Sequence, residues 1–69
     1  MQGLKRAVTI FGTQAALAEA IGVTAQAVNQ WVRKGRIPAE RVVDVERATK
    51  GAVNRRELRP DLYPREFIA

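Results

Sequence analysis

The stretch Gln14-Ala-Ala-Leu-Ala-Glu-Ala-Ile-Gly-Val-Thr-Ala-Gln-Ala-Val-Asn-Gln-Trp31 holds two short helical patterns on either side of a glycine. Gly22 follows Ile21, the apolar residue that closes the first pattern, where a helix end needs a left-handed residue with no Cβ penalty. Upstream, Thr13 is an N-cap candidate, and Leu17, Ala18 and Ile21 form one buried stripe, which predicts a helix from about Gln14 to Ile21. Downstream, Thr24 is a second cap candidate, and Val28, Trp31 and Val32 recur at i, i+3, i+4. Two short helices joined by a tight turn containing Gly fit a helix-turn-helix, with Ala18 small enough to let them approach near the hinge. Leu17, Ala18, Ile21, Val28 and Trp31 are core residues in this reading and specify the fold, not a chemistry.

The chemistry lies on the other face of the second helix, which carries Ala25, Gln26, Asn29, Gln30 and Arg33. A merely solvated helix face favours Glu and Lys, which combine high helix propensity with i, i+4 pairing. Amides and arginine instead match base edges: Gln and Asn pair bidentately with adenine and Arg with guanine, each discriminating by about 1–3 kcal/mol. Gln26, Asn29, Gln30 and Arg33 therefore form a base-reading set on a helix at about residues 24–33. Ala25 adds a small apolar surface suited to close approach or to a thymine methyl. Thr24 is placed to hydrogen-bond a phosphate in addition to capping.

Charge supports a polyanionic partner. The 69 residues carry 12 Lys and Arg against 7 Asp and Glu, a formal charge of +5, and the sequence pI is about 10.8. The excess is local: residues 1–38 hold Lys5, Arg6, Arg33, Lys34 and Arg36 against Glu19 alone, whereas the basic and acidic residues of 39–69 nearly cancel. Arg33, Lys34 and Arg36 sit at the end of the second helix and in the loop after it, suited to sugar–phosphate contact and to a helix C-terminus alike. Gln14, opening the first helix of the pair, is placed to meet a phosphate beside free backbone N–H groups.

The chain contains no Cys and no His, which removes disulfides, thiolate metal sites and the commonest acid–base residue. Glu40 and Asp44 share a helix face that reads as solvated, and Asp44 and Glu46 point apart. No catalytic constellation, cofactor site, metal site or small-molecule substrate is expected. There is no apolar run approaching the roughly 18 residues of a membrane span and no signal-peptide pattern, so the expected location is the cytoplasm.

The remaining elements follow from periodicity. Leu4, Ala7, Val8 and Phe11 recur at i, i+3, i+4, i+7 and predict a first helix ended by Gly12, with Phe11 and Trp31 central in a small core. Ile37-Pro38 announces a fourth helix with Pro at its first position and Val42, Val45, Ala48 and Thr49 facing inward. Asn54-Arg-Arg-Glu57 has capping-box spacing before Leu58, and Pro60 ends this short fifth helix. The fold class is therefore all-α, a bundle of about five short helices over residues 1–59, followed by an extended tail over 60–69. Leu62, Tyr63, Phe67 and Ile68 make that tail apolar enough to dock on the domain or to meet a partner.

The pattern Gln14-Ala-Ala-Leu-Ala-x-x-x-Gly-Val-x-x-x-x-Val-x-x-Trp31 resembles the lambda-repressor-like helix-turn-helix of phage Cro and CI proteins. Arg36-Ile-Pro-Ala-Glu-Arg-Val-Val-Asp-Val-Glu-Arg-Ala-Thr-Lys-Gly-Ala-Val53, with Glu57-Leu-Arg-Pro-Asp61, is similar to the short Cro-like proteins of the YdaS group found in prophages. The resemblance implies a five-helix DNA-binding domain and a repressor acting at a prophage lysis–lysogeny switch on the bacterial nucleoid. It assigns Gln14 to phosphate and Ala25, Gln26, Asn29 and Gln30 to base-facing positions. At position 25 well-known phage repressors frequently carry glutamine, and this chain has Ala25. The expected partner is double-stranded operator DNA bound by a homodimer, weak in free solution, because one recognition helix spans only a few base pairs. The alternative from another class is an antitoxin-type protein-interaction module that uses the apolar tail and retains DNA binding as an option.

Overall fold

The computed structural model describes residues 2–63 and contains α1 (Gln2–Phe11), α2 (Gln14–Ile21), α3 (Ala25–Lys34), α4 (Ala39–Ala48) and α5 (Arg55–Leu58). Among the described residues the architecture is all-α, as the periodicities require. Thr13 caps α2, its hydroxyl oxygen accepting from Ala16 N–H at 3.0 Å, and Thr24 caps α3 in the same way from Ala27 N–H at 3.1 Å. Gly22 is left-handed at φ 78°. It lets Val23 N–H reach back to Ala18 O at 2.9 Å, so α2 ends in a Schellman turn and the chain swings directly into α3. A second such turn at Gly35 joins Arg36 N–H to Trp31 O at 3.0 Å.

The core is built from Leu4 and Ala7 of α1, Leu17, Ala18 and Ile21 of α2, Val28 and Trp31 of α3, Ile37, Val42 and Val45 around α4, and Val53 and Leu58 around α5. Helix α2 packs on α1, α3 and α4, while α1 and α4 both meet α5. Phe11 is half-buried at the rim and not central, whereas Leu4, Leu17 and Leu58 are fully buried. Pro38 stands at the N-cap of α4 instead of the first helical position: its ψ of 143° is extended and the helix begins at Ala39. Thr49 faces inward as expected. Its hydroxyl donates to Val45 O at 3.0 Å and accepts from Val53 N–H at 3.2 Å, closing the turn after α4 without an unpaired buried polar atom.

Helix α5 carries the expected capping box, Asn54 Oδ1 accepting from Glu57 N–H at 3.0 Å and Glu57 Oε1 from Asn54 N–H at 3.3 Å. Gly3 is buried against this helix, so close that a Cβ at position 3 would lie 2.8 Å from Glu57 O. Arg6 completes the junction, pairing with Glu57 and donating to Ala52 O at 3.1 Å. Beyond α5 the expected extended segment begins instead as a turn: Leu62 and Tyr63 N–H both return to Arg59 O, at 3.0 and 2.9 Å. Tyr63 docks against the core with Arg55 over its ring, whereas Leu62 is 44% exposed. Phe67 and Ile68 lie outside the described residues.

Candidate nucleic-acid interface

Val28 and Trp31 bury one side of α3, which leaves Ala25, Gln26, Gln30, Arg33 and Lys34 exposed on the other. Gln30, Arg33 and Lys34 line a shallow open cleft at the C-terminal half of the helix. Lys34 and Arg33 occupy its last turn, where a cation is favoured by the helix dipole as well as by a phosphate. Thr24, at the other end, is exposed; its hydroxyl oxygen accepts the Ala27 N–H hydrogen bond, and its O–H remains a donor in the chemistry of a hydroxyl.

Two of the sequence-derived residues meet each other. Asn29 Nδ2 donates to Gln14 Oε1 at 3.1 Å, and both side chains are half-buried. Gln14 opens α2 and Asn29 lies midway along α3, so this bond bridges the two helices on the side opposite the Gly22 turn. It leaves the Gln14 amide N–H groups and the Asn29 carbonyl oxygen free, a donor at one end of the pair and an acceptor at the other. Fifteen residues separate the partners, and no periodic pattern within either helix signals the contact.

Arg36 is exposed after the Gly35 turn, but not isolated: its Nη2 lies 3.9 Å from Asp61 Oδ2. Asp61 is gripped by Arg59, whose Nε and Nη2 donate to its two oxygens at 2.9 and 2.7 Å. Arg59 is 9% exposed and also donates from Nη1 to Ile37 O at 2.8 Å. The bidentate bond from Arg59 holds the Asp61 carboxyl down at about 2, with Arg36 contributing less, and Asp61 in turn raises the Arg59 guanidinium. This clamp is absent from the sequence-derived site. Its only signal is Arg59-Pro60-Asp61, where a proline-bearing turn returns a carboxylate toward an arginine two residues before it.

Among the described residues, no group of three or more His, Cys, Asp or Glu side chains is arranged to hold a metal. No helix there is long and apolar enough to cross a membrane.

Two capped helices crossing at a left-handed glycine, with α1, α4 and α5 as support, define a helix-turn-helix domain with an amide- and arginine-bearing second helix. The chain matches the family described as "Bacterial toxin YdaS" over residues 4–67 and belongs to that family. It is 48% identical over 59 residues to the "Putative transcriptional regulator YdaS" of Escherichia coli (strain K12). That match covers 84% of this chain and 60% of the relative, so the chain spans about three-fifths of that protein's length. Among solved structures, the "Cro protein from putative prophage element Xfaso 1 in Xylella fastidiosa strain Ann-1" superposes with a TM-score of 0.85 at 45% identity. The superposition covers the whole of both chains.

Proposed function

We propose that this protein is a Cro-like transcriptional repressor that binds operator DNA sequence-specifically, without enzymatic activity, by laying α3 in the major groove. The observation that carries the reading is the division of α3 into a buried apolar side and an exposed side of Ala25, Gln26, Gln30 and Arg33. Gln26 and Gln30 address adenine edges, Arg33 a guanine or phosphate, and Asn29 a base edge from its bond with Gln14. Thr24, Lys34, Arg36 and the free amide of Gln14 serve the sugar–phosphate backbone, supplying salt-dependent affinity. A relative described as a transcriptional regulator and a Cro protein with the same fold support this partner. The protein acts on the bacterial nucleoid in the cytoplasm as a homodimer, two copies placing their α3 helices in successive major grooves about 34–36 Å apart.

Selection of bound sequences from random duplex DNA tests the whole reading. A two-fold-symmetric site, and silencing of a reporter promoter that contains it, is the expected result. Failure to enrich any sequence overturns it.

A second reading, an antitoxin-type protein-interaction module that retains DNA binding as an option, draws on exposed Leu62 and only loosely on the toxin in the family's description. Leu62→Ser together with deletion of residues 64–69 separates the two: loss of a protein partner with operator binding retained supports interaction through the tail. The deletion spares the Arg59–Asp61 clamp, which a cut at Pro60 would destroy.

A further inference from the structure

Arg36 stands where a phosphate contact is wanted, and a carboxylate stands beside it. The groove between the loop after α3 and the turn after α5 is about 350 Å³ and is lined by Gly35, Arg36, Glu57, Leu58, Arg59, Pro60 and Asp61, with Glu57 itself paired to Arg6. One buried guanidinium, that of Arg59, fixes both of its walls, holding Ile37 O on one side and both Asp61 oxygens on the other.

We propose that Asp61 tempers the protein's affinity for the DNA backbone by holding Arg36 in competition with a phosphate. The inference rests on the DNA-binding reading above and names a regulator of that same interface. Three features carry it. The Asp61 oxygens are satisfied by Arg59 at 2.7 and 2.9 Å, so Arg36 can leave without stranding an unpaired carboxylate. The Arg36 contact is longer, 3.9 Å, between side chains 69% and 50% exposed, and an exposed pair of that kind is weak and readily exchanged. A phosphate that takes Arg36 also arrives near the Asp61 charge, which stays ionised because Arg59 stabilises it.

Equilibrium binding to a random-sequence duplex at low salt provides the test, at a temperature where melting curves show every variant folded. Asp61→Asn tightens binding about two- to fivefold, the gain fading as salt rises. In an Arg36→Ala background the same change has no effect, and Asp61→Glu, which keeps the charge, binds as the unsubstituted protein does. An equal gain in the Arg36→Ala background overturns the proposal, since Asp61 then repels DNA generally. Weaker binding by folded Asp61→Asn overturns it too, making Asp61 a support of the loop. In the unsubstituted protein, the guanidinium NMR signal of Arg36 shifts on addition of duplex while that of Arg59 does not; an unresponsive Arg36 overturns the exchange. Failure of the DNA-binding reading itself is seen separately, as absence of binding by the unsubstituted protein.

Discussion

Asn29 and Gln14 are joined through their side-chain amides, at 3.1 Å, across the two helices of the helix-turn-helix. Such a bond couples the first residue of α2 to one in the middle of α3. On the DNA-binding reading proposed above, a phosphate that orients Gln14 is expected to orient Asn29 as well.

That coupling predicts non-additive losses. Gln14→Ala and Asn29→Ala each weaken operator binding, and the double variant loses less than the sum, with an interaction energy of about 0.5–3 kcal/mol. Equilibrium binding of the four proteins to one operator measures it. Strict additivity would show that the two amides act separately.

Thr24 combines a cap with a position at the proposed backbone contact, and substitution separates the roles. Thr24→Ala lowers stability by about 1 kcal/mol through loss of the bond from Ala27 N–H. Thr24→Asp keeps the cap and the stability but places a negative charge toward phosphate, so it binds DNA more weakly than Thr24→Ala does. Thermal melts and binding curves on the same samples read both effects, and equal DNA binding by the two variants would confine Thr24 to capping.

Gly3 marks a close approach of α1 to α5. Alanine is the better helix former by about 1 kcal/mol, and at an open position Gly3→Ala would stabilise α1. Here the added Cβ meets the Glu57 carbonyl at 2.8 Å, a backbone neighbour that moves only with α5. The expected outcome is a net destabilisation of about 1–3 kcal/mol, read from the chemical denaturation midpoint. A rise in stability would show that α5 shifts freely.

Acid sensitivity follows from Asp61. Its carboxyl falls from the ordinary 3.8 to about 2 in the folded protein, so the stabilisation it brings is present above about pH 4 and is lost as pH falls toward 2. Melting curves of Asp61→Asn and the unsubstituted protein therefore converge across that range. Curves that stay parallel down to pH 2 would count against the Arg59–Asp61 bond.

Nearly all of the fold is legible in the sequence because it is local. Thr13, Thr24, Gly22 and the Asn54–Glu57 box each act within four residues of themselves, and the apolar stripes of α1 to α4 need only a helical period. What escaped is non-local. Fully buried Ile37 and Val53 lie outside the helices, where no period singles them out. Gly3 looks like a weak helix residue until Glu57 lies against it. In the interface, the exposed residues of α3 follow from periodicity, whereas the partnerships of Gln14 with Asn29 and of Arg36 with Asp61 cross 15 and 25 positions.

The packing of α1 on α5, with Gly3 and Arg6 against Glu57, has a bearing on protein synthesis. Helix α3 is made midway through the described residues, but the elements that clasp the bundle shut, α1 and α5, are the first and last of the described helices. A product of interrupted translation that stops after α3 would carry the exposed amides of α3 and lack the core residues Ile37, Val42, Val45, Val53 and Leu58. Such a fragment lacks residues that α2 and α3 pack against, so on the DNA-binding reading proposed above competence to bind is expected only once α5 has been made.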